Sequence, residues 1–122
     1  MDIKYLTISQ IRKDLDAKKY SAVDLTKKYL KTIKEKNPEI NAFITVTEEL
    51  ALKEANTADQ LIKSGKQQIL TGVPYSVKDA IQVKGVRATA GSKILDNYIS
   101  PFNATVIEKI RSQGAVLLGK NN

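Results

Sequence analysis

Lys78, which is followed directly by Asp79, is the residue in this sequence best suited to acid–base chemistry. Lys78 lies within an apolar stretch, GVPYSVKDAI, that predicts a short strand near Tyr75–Lys78. If both faces of that strand are buried, alternation sends the two side chains to opposite sides. A buried lysine is costly unless it is paired or neutral, and desolvation makes such an amine a usable general base. Two interpretations of Lys78 stay open: a functional lysine, or a strand-end lysine that extends into solvent or pairs with a carboxylate.

The residue inventory excludes several other kinds of site. The chain has no cysteine, and therefore no disulfide framework, thiolate metal site or cysteine nucleophile. It has no histidine, which excludes a Ser-His-Asp mechanism and histidine-bound zinc. At 122 residues, 42% apolar and 27% charged, it has the composition of one ordinary globular domain. Neither a secretory signal nor an apolar run of about 18 residues is present, so we expect a cytoplasmic location and no membrane contact.

The net charge of +7 raises the question of nucleic-acid binding. Only three of the 20 basic residues are arginine, the residue that base-edge recognition favours. We therefore expect a solvated basic surface, with a weak, salt-sensitive attraction for a polyanion as the alternative. The densest basic run falls on one expected helix and consists of Lys27, Lys28, Lys31, Lys34 and Lys36.

Helices dominate the expectation for the first 66 residues. Each is marked by a polar cap at its start and a breaker at its end, with apolar residues at helical spacing between them. The expected elements are a helix from Thr7, with Gln10, to about Ala17; a helix from Ser21 to Asn37-Pro38; an extended piece, 42–46; and a helix from Thr47 to Gly65.

The remainder, 67–122, has a different character. After the strand ending at Lys78 comes a long loop, 84–101, with little periodicity. Asn103 would cap a helix that Gly114 ends, and Ala115–Leu118 would form a short buried strand. Strand, helix and strand make a parallel crossover unit, which predicts an α/β fold: N-terminal helices, then the start of a parallel or mixed sheet with covering helices. We interpret 1–122 as a single portion of one domain, with a helical leader (1–66) before the first strands and crossover helix (67–122).

Two glycine-containing segments are candidates for ligand binding. Gly114 to Lys120 fits the G-x-x-x-x-G-K spacing of a phosphate-binding loop, but Asn121 replaces the required Ser or Thr, and the four intervening residues are strand-like. We reject that interpretation in favour of a helix-ending glycine followed by a core strand. The small, polar loop 88–95, ATAGSKIL, could approach a ligand closely, although turn chemistry alone also explains it.

Two longer stretches resemble the amidase signature family. LTGVPYSVKDAIQVKGVRATAGSKIL (70–95) matches the family's G-[IV]-P-x-x-[IV]-K-D stretch and the G-x-x-T-x-G-S loop after it. NATVIEKIRSQGAVLLGKNN (103–122) matches [DN]-A-T-x-V…G-A…G-K-x-N, with Asn103 in place of the commoner Asp and Asn121 in place of the commoner Thr. The helical leader is also similar, notably INAFITV (40–46).

The resemblance implies amide hydrolysis by a Ser–Ser–Lys triad, in which Lys78 is the catalytic base. It also implies that both serines and the oxyanion hole lie beyond Asn122, so that this chain alone should be inactive. The serines at 76, 92, 100 and 112 match no nucleophile position.

Within the family, the similarity is greatest to the glutaminase subunits of tRNA-dependent amidotransferases. That implies glutamine as the small amide substrate, other amidotransferase subunits as partners, and indirect use of tRNA. No cofactor is expected in this chain, because ATP and Mg²⁺ would act on a partner subunit that activates Glu-tRNA(Gln). A stand-alone amidase fragment and a non-catalytic RNA- or protein-interaction module are the alternatives.

Overall fold

The computed structural model describes all 122 residues as an α/β arrangement of four α-helices and a three-stranded sheet. None of the helices combines the length and apolar character needed to cross a membrane. In chain order the elements are α1 (Ile8–Asp16), α2 (Ala22–Ile40), β1 (Phe43–Val46), α3 (Glu48–Lys63), β2 (Pro74–Lys78), a short 3-10 helix (Lys93–Leu95), α4 (Thr105–Ser112) and β3 (Val116–Asn121).

The last strand, β3, is the centre of the sheet, whose order is β1-β3-β2. β2 and β3 run parallel and are joined by α4, which confirms the predicted crossover unit. β1 pairs antiparallel with β3, so the sheet is mixed and the predicted fold class is confirmed. Because β2 and β3 are parallel, their carboxyl ends meet, with Lys78 opposite Asn121.

Both faces of β3 are covered, as its apolar sequence predicts. Val116 and Leu118 belong to a core of eleven buried residues that joins β3 to α1, α2 and α3. Leu117, between them, belongs to a smaller cluster with Val83 and Ile107, from the segment after β2 and from α4. Each fully buried leucine contributes about 2 kcal/mol through removal of its apolar surface from water.

The start of α2 is held by two acidic side chains and a serine. Ser21 and Asp24 form a capping box, in which each side chain accepts a hydrogen bond from the other residue's backbone N–H. Asp59 of α3 accepts hydrogen bonds from the N–H groups of Ala22 at 2.7 Å and Val23 at 3.2 Å. Because the first N–H groups of a helix have no partner within it, Asp59 joins the two helices at this end.

The end of α2 lies at Ile40, beyond the predicted stop at Asn37-Pro38. Pro38 is accommodated in the last turn, and the helix ends instead at Asn41, which has the left-handed conformation. The N–H of Asn41 donates to the carbonyl of Asn37 at 2.7 Å. The prediction was wrong because one proline removes a single N–H donor and does not end this helix, whereas the left-handed residue Asn41 does.

Two predicted helix caps hold other parts of the fold. Thr47 precedes α3, but its hydroxyl donates to the carbonyl of Leu117 in β3 at 2.9 Å. The side-chain oxygen of Asn103 accepts from the N–H of Lys84 at 2.7 Å, while α4 begins after Ala104 with no side-chain cap. Both predictions of capping were wrong because partners distant in sequence take the same polar groups.

β3 is longer than the predicted strand 115–118 and includes Gly119 and Lys120. A Cβ atom on Gly119 would lie 2.3 Å from the carbonyl oxygen of Thr45 and 2.9 Å from a ring carbon of Phe43. Only glycine therefore permits β1 to approach β3 this closely.

Candidate active site

Lys78 lies at the carboxyl end of β2 with its side chain exposed. The adjacent Asp79 is 2% exposed, so the two side chains occupy different environments, as strand alternation predicts. The burial considered for Lys78 is not found, because β2 is an edge strand of the sheet. The exposed amine of Lys78 is accessible to groups outside the 122 residues.

The buried lysine of this site is Lys120, which is fully inaccessible to solvent. Its Nζ donates to the backbone carbonyls of Asp79 and Arg87, each at 3.3 Å. The same Nζ lies 3.5 Å from Oδ1 of Asp79. This distance is short enough for an ion pair but long for a hydrogen bond. Desolvation lowers the pKa of Lys120, and the charge of Asp79 opposes that shift.

The carboxylate of Asp79 joins Lys120 to the glycine-containing loop. Its Oδ2 accepts hydrogen bonds from the N–H of Thr89, at 3.0 Å, and from the Thr89 hydroxyl. The Thr89 oxygen in turn accepts from the N–H of Gly91 at 3.1 Å. One chain of polar contacts therefore runs from β3 through Asp79 to the loop backbone.

The loop 84–101 is more ordered than its sequence suggests. Backbone hydrogen bonds pair its two ends around an antiparallel bridge between Arg87 and Ile99. The guanidinium of Arg87 forms an ion pair with Asp96 and donates to the hydroxyl of Thr45 in β1 at 3.2 Å. The side chain of Arg87 thus attaches the loop to β1.

A half-buried ion pair lies elsewhere, at the start of β3. Glu54 of α3 accepts from the N–H of Leu117 at 3.1 Å and pairs with Nε of Arg111 at 3.2 Å. Burial raises the pKa of Glu54, and the bonds to Leu117 and Arg111 oppose that shift. Burial and the nearby charge of Glu54 raise the pKa of Tyr75 to about 12. These contacts join α3, α4 and the sheet.

The hydrogen bonds formed by serine side chains in this chain all involve backbone groups, and none joins a serine to a lysine or arginine side chain. Ser92 caps the 3-10 helix, while the hydroxyls of Ser100 and Ser112 donate to nearby carbonyls. No group of three or more acidic, histidine or cysteine side chains could hold a metal ion. The segment from Gly114 to Lys120 is a helix end and a buried strand, which confirms that it is no phosphate-binding loop.

The arrangement as a whole is an exposed amine beside a fixed carboxylate and a glycine-containing loop. It lies at the carboxyl ends of two parallel strands, the edge where open α/β sheets bind ligands. Sequence reasoning identified Lys78 and noted Asp79 but missed Lys120. The available signal was a lysine two residues after the apolar run 115–118, where the buried strand continues.

The sequence is similar to known proteins over its whole length. Residues 24–122 match the protein family described as Amidase. The chain is 47% identical over 122 residues to the A subunit of glutamyl-tRNA(Gln) amidotransferase from Thermoanaerobacter pseudethanolicus, covering all of this chain and 25% of that protein. It is 46% identical over 121 residues to the protein of the same name from Acinetobacter baumannii, again covering 25% of it. The chain thus spans about a quarter of these relatives' length.

Solved structures show the same fold. The peptide amidase of Stenotrophomonas maltophilia superposes with a TM-score of 0.90 at 29% identity, covering 98% of this chain and 25% of that one. An amidase family protein from Bacillus anthracis gives a TM-score of 0.90 at 30% identity, covering 98% and 24%. The resemblance seen in the sequence motifs is confirmed, and the chain belongs to the amidase family.

Proposed function

We propose that Lys78 is the catalytic base of an amidohydrolase that acts by a Ser–Ser–Lys mechanism. The observation that carries the proposal is the exposed amine at the carboxyl ends of β2 and β3, in a chain of the amidase family. The two serines and the oxyanion hole would come from the part of the enzyme outside this segment. The complete enzyme is the full-length protein in which this segment is joined to the part that its relatives have in addition.

Each proton in this mechanism has a defined path. The neutral Nζ of Lys78 accepts a proton from a bridging serine, which accepts one from the nucleophilic serine as its oxygen attacks the amide carbonyl carbon. One proton returns through the same relay to the leaving nitrogen as the carbon–nitrogen bond breaks, and ammonia departs. Water then hydrolyses the serine ester by the same base, while backbone N–H groups stabilise the oxyanion in both steps.

Glutamine is the proposed amide, and an amidotransferase is the proposed assembly. The support is the name shared by the relatives with about 46% identity across the whole chain. Ammonia would pass to a partner subunit that activates Glu-tRNA(Gln) with ATP and Mg²⁺, so tRNA would be used indirectly and in the cytoplasm.

The test is steady-state glutamine hydrolysis by the complete enzyme. We expect Lys78→Ala to lower kcat at least 100-fold, since general-base catalysis contributes about 10²–10⁴-fold. Lys84→Ala removes another exposed lysine a few residues away and is the matched control, expected to keep wild-type kcat. Wild-type activity in Lys78→Ala would disprove the assignment.

A stand-alone amidase is the second candidate, favoured by the superposition on a peptide amidase. Activity that needs tRNA and a second subunit would favour the amidotransferase, and activity without them the stand-alone enzyme. A non-catalytic RNA-binding role has weaker support, because the lysines of α2 form an exposed face without any further feature of an RNA site. RNA binding that falls steeply between about 50 and 200 mM salt would support that role.

A further inference from the structure

We propose that Lys120 is a positioning residue, whose buried ammonium fixes Lys78 and the glycine-containing loop relative to β3. The inference rests on the proposed function, because it assigns Lys120 a role in orienting the base. Every recorded polar contact of Lys120 lies within the chain: its ammonium donates to two backbone carbonyls and lies 3.5 Å from one carboxylate oxygen.

The first step concerns how Lys78 is held. Its exposed side chain forms no hydrogen bond or ion pair with the rest of the chain, so its direction depends on the backbone around it. The next residue, Asp79, forms hydrogen bonds through all but one of its polar groups. Its N–H donates to the carbonyl of Asn121 at 2.8 Å and its carbonyl accepts from Lys120. Its Oδ2 accepts from Thr89. Its remaining oxygen, Oδ1, faces the ammonium.

The second step concerns the loop. Lys120 also binds the carbonyl of Arg87, two residues before Thr89, and the Thr89 oxygen holds the N–H of Gly91. One ammonium therefore joins three separate segments: the end of β2, the loop and β3. Lys78 and the loop keep a fixed relative position only while this junction is intact.

The third step concerns why the residue is a lysine. A buried ion pair contributes little net stability, because the cost of desolvation offsets the attraction between the charges. Methionine has a similar length and would fill the same space, but it cannot donate to carbonyls of two segments. The function of the ammonium is therefore the alignment of those segments.

The first experiment compares Lys120→Met with Leu25→Ala in the complete enzyme. Leu25 is fully buried in the helical core away from the site, so its truncation is a control for lost stability alone. For Lys120→Met we expect kcat for glutamine hydrolysis to fall about 10- to 100-fold, with KM changed less than about threefold, because a 1 Å displacement of a reacting group costs that much. Peptides from 84–101 should also exchange amide hydrogens faster than in wild type. Leu25→Ala should show neither effect.

A second pair of variants covers the case in which Lys120→Met does not fold. Thr89→Val removes the hydroxyl that joins Asp79 to Gly91 and keeps the shape of the side chain, whereas Thr89→Ser keeps the hydroxyl. We expect Thr89→Val to lower kcat at least fivefold and Thr89→Ser to retain it. Equal kcat in these two variants, or wild-type kcat in folded Lys120→Met, would overturn the positioning role.

The outcomes for the two proposals are separate. Full activity of Lys78→Ala rejects the proposed function. Loss of activity in Lys78→Ala together with full activity in folded Lys120→Met or in Thr89→Val rejects the positioning role alone.

Discussion

At the scale of single residues, Tyr75 carries a hydroxyl that is buried without a hydrogen-bond partner. An unpaired buried hydroxyl costs about 1–3 kcal/mol, so we expect Tyr75→Phe to raise the free energy of unfolding by about 1 kcal/mol at pH 7. Urea denaturation measures this change, with Tyr5→Phe, which removes an exposed hydroxyl, as the matched control. A clear loss of stability in Tyr75→Phe would mean that the hydroxyl has a partner outside these contacts.

The same tyrosine predicts a pH dependence. Its pKa is about 12 in the folded chain and about 10 in the unfolded chain, so the folded state holds the proton more tightly. The stability due to that difference is fully present below pH 10 and is lost as the pH rises from 10 towards 12. Phenylalanine does not ionise, and the advantage of Tyr75→Phe should therefore grow between pH 10 and pH 11. A constant advantage across that range would contradict the raised pKa.

The candidate site was only partly predictable from the sequence. Lys78 stands out because a charged residue ends an apolar strand, and its motif identifies it again. The burial of Lys120 could not be predicted, because it depends on the neighbouring strands and the loop that pack around this residue. Its partners Arg87 and Asp79 are 33 and 41 positions away, beyond the reach of local patterns.

At the scale of elements, Asp59 offers a test of how two helices are joined. Its carboxylate accepts two N–H groups at the start of α2, so Asp59→Ala leaves both without their partner. We expect a loss of about 1–2 kcal/mol in the free energy of unfolding, the range measured for helix caps. Glu39→Ala, at an exposed position near the other end of α2, is the control and should change stability little. A loss in Asp59→Ala no larger than in the control would remove Asp59 as the link between the helices.

Gly119 tests the contact between β1 and β3. In Gly119→Ala the new methyl group would meet the backbone of Thr45, which cannot move without breaking the strand pairing. We expect a loss of about 2–3 kcal/mol, as is typical of overpacked sites, measured by thermal or urea unfolding. Ser76→Ala, at the exposed position opposite Gly119 in β2, should change stability by less than about 0.5 kcal/mol. Similar stability of the two variants would show that β1 can shift away.

The elements themselves were largely predictable, and their ends less so. The spans of α1 and α3 and the position of β2 follow from helical periodicity and from breakers, and the Thr7 cap is confirmed by a 3.1 Å bond from the N–H of Gln10. The errors at Thr47 and Asn103 share one cause. In each case a contact with a distant or following segment decided what the polar side chain does, and local preference did not.

At the scale of the whole molecule, the proposed mechanism needs groups that this segment does not provide. We expect the isolated 122-residue chain to show no glutamine hydrolysis above background, because its serines are engaged locally or match no nucleophile position. An ammonia-release assay on the chain and on its Lys78→Ala variant checks this. Turnover by the wild-type chain that disappears in the variant would place a complete site within these residues.

The central place of β3 also bears on how the protein is made. Val46 of β1 pairs with Gly119, which the ribosome adds 73 residues later. At 5–20 residues per second, β1 and the helices around it exist for roughly 4–15 s before their sheet partner has been synthesised. During that interval the nascent chain exposes unpaired strand and apolar helix faces. We therefore expect early binding by a chaperone, or a pause in synthesis just after β3, to change the yield of folded protein.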